Sequence, residues 1–404
     1  MGGIGARAAR RGARLTAPIP IAYVTDTWPL GGGGGAERAL FTLVTGIDRH
    51  RFRPFVVAAA GDGSSEYLRL AREAGVPAAV LGASLSEGLP TAGFNIARLV
   101  GLLRHHRTLI VHSSQDQGVG VLAGLLAGVP VRVYTTHRMH GPQRFRRQMG
   151  ERVVMRRIAS RNVAVSHAVA RNLRLRFGVD PSRVEVVFNG VRFDDASSSA
   201  EPDTLKGNPG ASDPRIVSVG RLVREKGVDI LLKAMVHVVA SEIRARLTVV
   251  GDGPERASLE QLSVGLGLGR HVRFVGHQID VAKWLAGASV LAMPSRSEGM
   301  GIAAVEALAS AIPVVCSNAG GLPEVVDTGH CGIVVEGSEA GTDVEVEPQS
   351  FATALLHVVR DHALAQQFGA NGRRRYETHF TANEYVGRHE ELYLQELRRI
   401  GGLG

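Results

Sequence analysis

Two glutamates, Glu298 and Glu306, stand eight positions apart in the segment Ser295-Arg-Ser-Glu-Gly-Met-Gly-Ile-Ala-Ala-Val-Glu-Ala-Leu-Ala309. The first lies in a glycine-containing turn, Glu298-Gly299-Met300-Gly301, and the second in an apolar helical run that ends before Ile312-Pro313. The stretch Ser289–Met293 leads into the turn as a strand. Strand, turn and helix N-terminus form an anion site, because free backbone N–H groups and the positive end of the helix dipole receive phosphate without a cationic side chain. Gly299 and Gly301 let a ligand come close to the main chain. At about 3.6 residues per turn, Glu306 follows roughly two turns later, where a carboxylate accepts hydrogen bonds from a sugar hydroxyl pair. A phosphate cradle flanked by carboxylates suits a nucleotide sugar, whose diphosphate lies between two hydroxylated rings.

Two cations have a matching placement. Arg221 and Lys226 lie five apart, between the strand Ile216–Val219 and a helix opening near Gly227. Loops at the carboxyl ends of strands are where open α/β sheets bind ligands. Two cations there neutralise a diphosphate and stabilise the charge that builds as it leaves. Arg224, between them, reads as an ordinary solvated charge. His137 ends the strand Val131–Thr136 at its carboxyl edge, with His112 and His140 as competing assignments. Glu37 reads as a dipole partner in a first helical turn.

The Glu-x7-Glu segment resembles that of retaining glycosyltransferases of family 4. Val219-Gly-Arg-Leu-Val-Arg-Glu-Lys-Gly227, Val250-Gly-Asp-Gly-Pro-Glu255, Phe274-Val-Gly-His277 and Ala319-Gly-Gly-Leu-Pro-Glu324 stand in the family's order and approximate spacing. Gly34-Gly-Ala-Glu37 matches its glycine loop, so the likeness covers nearly the whole chain and is strongest from about 215 to 335. The resemblance implies two Rossmann-like α/β domains facing a central cleft (GT-B), with a C-terminal helix, Tyr385–Arg399, crossing back to the first domain. It implies a retaining glycosyltransferase that moves a sugar from a nucleotide-diphosphate donor, a UDP-sugar foremost, to a glycan or lipid-linked acceptor. Glu298 then meets the donor-sugar hydroxyls and Glu306 the nucleotide ribose. The backbone of Gly299, Met300 and Gly301 holds the phosphates, Val275 and His277 border the nucleobase, and Gly34 and Gly35 approach from the first domain. His137 contacts the donor sugar and, with Arg221, Lys226 and Glu298, makes up the catalytic set. No Asp-x-Asp pair stands at a strand end, so the expectation is a metal-independent reaction with no cofactor. The alternatives are a sugar-nucleotide epimerase or phosphorylase, or a non-catalytic binding protein, on the same fold.

The elements that must position these residues follow from the rest of the chain. Apolar runs alternate with amphipathic segments throughout, as in parallel sheets covered by helices. The expected division is a disordered leader over 1–17, an acceptor-side domain over 18–195, a Ser/Pro/Gly-rich linker over 196–214, a nucleotide-sugar-binding domain over 215–380 and a terminal segment over 381–404. The acidic insert Glu336–Glu347 reads as a surface loop.

A net charge of +9 raises the question of nucleic acid, but no zinc-finger or aromatic-basic RNA-binding motif accompanies it. Two cysteines make no disulfide framework and suit a reducing cytosol. Arg138–Arg161, read as a helix, carries arginine on most faces with Phe145, Met149 and Val153 interleaved. It is either a solvated helix or a contact for anionic lipid or an acidic acceptor, so the expected location is cytoplasmic, with peripheral membrane attachment on the inner face as an option.

Overall fold

The computed structural model describes residues 17–27, 35–60, 66–81, 89–114, 118–141, 145–193, 213–278 and 280–401. The leader, Gly34 and most of the expected linker lie outside those residues. Among the described residues, thirteen strands form two parallel sheets. The first contains β1 (Ile19–Thr27), β2 (Phe52–Ala60), β3 (Ala78–Val80), β4 (Ile110–Ser114), β5 (Val131–Thr136), β6 (Arg161–Ala164) and β7 (Val184–Val186), in the order β3-β2-β1-β4-β5-β6-β7. The second contains β8 (Arg215–Val219), β9 (Arg246–Val250), β10 (Val272–Gly276), β11 (Val290–Met293), β12 (Val314–Ser317) and β13 (Gly332–Val335), in the order β10-β9-β8-β11-β12-β13.

Helices cover both faces of each sheet, so the central strands read as near-continuous apolar runs; β11 and β12 are buried throughout. Strand order reverses between β1 and β4 and again between β8 and β11, and such switch points leave a crevice at the carboxyl ends of the strands. β2 begins at Phe52 and includes Pro54. The strand tolerates this proline because β3 pairs only with residues 56–58, leaving that side of Pro54 open where an N–H is missing.

The last described element is a helix, Ala382–Arg399, capped by the Thr381 hydroxyl, which accepts the Glu384 N–H at 3.2 Å. This helix returns to the first sheet. Its Tyr393 is buried against Phe52 and meets His112, Glu390 accepts the Asp48 N–H at 2.7 Å, and Glu396 receives Arg161 at 2.7 Å.

Two expectations need correction. The acidic insert is not a bare loop: it folds as an antiparallel hairpin of β14 (Ser338–Ala340) and β15 (Asp343–Glu345) that buries Val344. The arginine-rich stretch is not one helix over 138–161 either. It is helical over Phe145–Val153, continues as a π-turn over Val154–Ile158 and then enters β6. Arg161 is thus a strand residue paired with Glu396, a carboxylate only 1 % exposed.

Candidate functional site

β8 and β11 are neighbours at the switch point of the second sheet, so the loops leaving their carboxyl ends meet. The β8 loop closes in a 3-10 turn, Arg224–Lys226, before the helix Val228–Ser241. The β11 loop carries Glu298 into the helix Ile302–Ala309. Lys226 Nζ donates to Glu298 Oε2 at 2.5 Å, and the Ser295 hydroxyl lies 3.4 Å from the same oxygen. The Arg221 side chain is exposed and makes no hydrogen bond or ion pair among the described residues, while its carbonyl accepts the Val223 N–H at 2.9 Å. A carboxylate and its ammonium partner therefore stand together beside a helix N-terminus, with Arg221 exposed in the same β8 loop.

That N-terminus is open. Gly301 begins the helix at φ 94°, a left-handed conformation that suits glycine, and no side chain caps it. Among the described residues the N–H groups of Gly299, Met300 and Gly301 have no partner. At Gly299 a Cβ would lie 2.0 Å from the His137 carbonyl oxygen, so a side chain there would part the two domains. The Ser166 hydroxyl donates to the Gly299 carbonyl at 2.6 Å, while Glu324 accepts the N–H groups of His167 and Ala168 at 2.7 and 2.6 Å. The glycine turn is thus held against the first domain from both sides. Met300 offers only its main chain, since its side chain is buried and its sulfur accepts the Asn189 N–H. Gly35 opens the helix Gly35–Gly46 and faces Ile302, the first residue of the helix after Gly301.

Glu306, in the second turn of its helix, is ion-paired to Arg38 of the helix Gly35–Gly46. Burial pushes its carboxyl pKa up; the Arg38 guanidinium opposes this, and Asp280 reinforces it. Sequence reasoning missed Arg38. Its only signal was its place one residue after the Gly34–Glu37 motif.

His137 stands where expected, just beyond β5, with a buried Nδ1 that has no partner among the described residues. Burial, helped by nearby His389, pushes its pKa down to about 3, so the ring is neutral at pH 7. The two competing histidines are committed elsewhere. His112 is held by Tyr393 at one ring nitrogen and by Thr135 at the other, and His140 packs edge-on to Phe177 beside Glu151. Val275 and His277 are half-buried at the end of β10, where the Val275 carbonyl accepts Gln278 Nε2 at 3.1 Å. A second missed residue, Arg296, lies two positions before Glu298 and is buried among Asp229, Glu345 and the Arg224 carbonyl.

Two family profiles cover most of the chain. "Glycosyl transferases group 1" matches residues 203–375, and "Glycosyltransferase Family 4" matches residues 33–195. The chain belongs to glycosyltransferase family 4. Among curated proteins, it is similar to a D-inositol 3-phosphate glycosyltransferase of Streptomyces bingchenggensis, 31% identical over 68% of this chain and 64% of the relative. It also resembles a GDP-mannose-dependent monoacylated alpha-(1-6)-phosphatidylinositol monomannoside mannosyltransferase of Corynebacterium glutamicum, 32% identical over 54% of this chain and 57% of the relative. The match thus spans less than two thirds of these relatives' length. Among solved structures, Anabaena HepE in complex with UDP-glucose superposes with a TM-score of 0.78, at 22% identity, over 93% of this chain and 100% of that one. The two parallel-sheet domains are therefore those of the GT-B fold.

Proposed function

We propose that this family 4 protein is a retaining, metal-independent glycosyltransferase whose nucleotide-sugar donor lies on the β8–β11 crevice. The observation that carries this reading is the convergence of Lys226 on Glu298 beside the open N-terminus at Gly301, with Arg221 exposed in the loop that carries Lys226. The turn amides and the helix end receive the diphosphate, and Arg221 and Lys226 neutralise the charge it gains on leaving. Glu298 holds donor-sugar hydroxyls, and His137, neutral at pH 7, offers its unpartnered Nδ1 to the sugar. The acceptor hydroxyl attacks on the face that the phosphate leaves: the bond from the anomeric carbon to the diphosphate oxygen breaks, a new carbon–oxygen bond forms, and the acceptor proton passes to the departing phosphate. No second carboxylate at nucleophile distance is needed, unlike in retaining hydrolases.

The direct test is thermal denaturation with UDP, GDP and ADP and then their sugars, since a ligand that binds only the native state raises its melting temperature. One nucleotide and its sugar are expected to raise it, and nucleoside diphosphate release should require an acceptor and persist after EDTA treatment. Release without acceptor, or epimerised sugar, would support the rival chemistry. Loss of activity on chelation, restored by magnesium or manganese, would overturn metal independence.

For the acceptor we propose a hydroxyl-bearing head group presented at an anionic membrane. The named relatives act on an inositol phosphate and a phosphatidylinositol mannoside, which supports a polyol of this kind. Among the described residues no helix is long and apolar enough to cross a membrane. The first domain does present apolar side chains among arginines. Met149 and Val153 are exposed on one helix, and Leu175, 80 % exposed, lies on the neighbouring segment between Arg174 and Arg176. Each arginine near an anionic surface adds about 1 kcal/mol. Sedimentation with anionic vesicles at low salt should therefore bring down the wild type but not a variant with Arg152, Arg156, Arg157 and Arg174 changed to glutamine. Equal binding to neutral and anionic vesicles, or none at low salt, would leave these arginines as a solvated face.

A further inference from the structure

The acidic hairpin has an unexpected partner. Arg296 is 5% exposed, and all five of its guanidinium N–H donors are used. They reach Asp229 at 2.6 and 2.8 Å, Glu345 at 2.6 and 2.8 Å, and the Arg224 carbonyl at 3.0 Å. The backbone adds to the joint: the Arg296 N–H donates to the Glu225 carbonyl at 2.8 Å, and the Arg296 carbonyl accepts the Val344 N–H at 2.8 Å. One side chain thus ties together the turn that ends in Lys226, the loop that carries Glu298 and the hairpin strand β15. Arg224 reinforces the hairpin through Asp343 at 2.7 Å. At the hairpin turn, a Cβ on Gly141 would sit 3.3 Å from the Thr342 hydroxyl, so the turn abuts the first-domain segment that follows His137.

We propose that the hairpin Ser338–Glu345 is a positioning brace for the donor site: by supplying Glu345 to Arg296 it holds Lys226 and Glu298 in register. Only Ser297 separates Arg296 from Glu298, so any swing of the Arg296 backbone moves the carboxylate. Asp229 alone supplies two acceptors for the five donors. Without Glu345, a buried cation keeps unsatisfied N–H groups and the loop gains alternative positions. Arg296 and Glu345 do not touch the ligand in this account; they act through Lys226 and Glu298. The bidentate geometry on both carboxylates is one that lysine cannot reproduce.

This inference rests on the reading of Glu298 as a donor-sugar contact, so its test has one arm that needs no ligand. Glu345 keeps half of its side-chain surface exposed, and Glu345→Ala and Glu345→Gln are therefore expected to fold. In the free protein, amide hydrogen exchange over residues 295–301 should be faster in Glu345→Ala, with Glu345→Gln closer to wild type because it keeps a hydrogen-bonding oxygen. In the second arm, calorimetry compares UDP with UDP-glucose, and GDP with GDP-mannose. The affinity gained by adding the sugar should fall about tenfold in Glu345→Ala, the size expected for one charged hydrogen bond, on top of any loss of nucleotide affinity from a displaced Lys226. Unchanged exchange over 295–301, or an unchanged sugar increment in a protein with faster exchange, would overturn the brace. Should the wild type bind neither pair, the donor reading fails instead, and the exchange arm alone decides whether the hairpin holds the loop.

Discussion

Arg221→Ala should lower turnover by about 10²–10³-fold, the usual cost of losing one preorganised donor to a developing negative charge. Its melting temperature should match the wild type, because Arg221 is exposed and uncommitted among the described residues. Lys226→Ala should lose turnover to the same degree but also some stability. Its ammonium neutralises Glu298, whose side chain is only 11% exposed, and removing it strands that carboxylate. The two losses can be separated. Lys226→Ala combined with Glu298→Gln should recover the melting temperature, since no charge is left unpaired, yet remain inactive. Turnover and melting would be measured on all four proteins. Wild-type turnover in Arg221→Ala/Lys226→Ala would remove the leaving-group role from both cations. Full recovery of turnover in the Lys226/Glu298 double variant would make the pair purely structural.

The ordering of motifs along the chain foretold the main geometry because each motif sits in a loop at a strand's carboxyl end. The strands are short apolar runs that sequence marks well. β8 and β11 were therefore legible, and with them the loops that carry Lys226 and Glu298 to one crevice; that the two side chains, 72 residues apart, pair directly was not. What the sequence did not disclose are partners chosen by tertiary packing alone. Arg38 and Glu306 are separated by 268 positions, and nothing local distinguishes Arg38 from the chain's other arginines. Arg296 lies inside the most conspicuous motif, yet nothing local marks it, because its burial depends on β15 arriving from 49 positions away. The hairpin itself was hidden by composition. Its strands are acidic and exposed except at Val344 and the half-buried Asp343, so they lack the alternating apolar pattern that announces a strand. The helix expected to start at Arg138 failed for a related reason. Arginine favours helix anywhere, and sequence alone could not show that Arg161 pairs with Glu396 as part of β6.

The pair between Arg38 and Glu306 makes the second large prediction, because it links the two domains at the place proposed for the ribose. The two side chains keep 22% and 12% of their surface exposed, so Arg38→Ala leaves a largely buried carboxylate without its cation. The cost expected at neutral pH is about 3 kcal/mol, the low end for breaking a buried pair, since some solvent reaches both groups. The sign of its pH dependence follows from Glu306. Burial already raises that carboxyl above its ordinary 4.5, and Arg38 is the main influence holding it down. Without Arg38 the folded-state pKa rises further. The carboxyl then takes up a proton in the folded protein at a pH where the unfolded chain stays ionised. The penalty is therefore full at about pH 7–8 and shrinks as pH falls through the raised pKa towards about 4.5. Urea denaturation of wild type and Arg38→Ala across this range measures it; a difference independent of pH would mean that the charge of Glu306 is not what the arginine neutralises. Glu306→Ala separates the structural from the ligand role. Together with Arg38→Ala it should cost less than the sum of the single changes, because no charge is then left alone. It should also weaken nucleotide binding about tenfold, having lost the acceptor for the ribose hydroxyls. Unchanged nucleotide affinity in calorimetry, beside a clear coupling to Arg38, would make Glu306 an interdomain ion-pair partner and place the ribose elsewhere on the crevice.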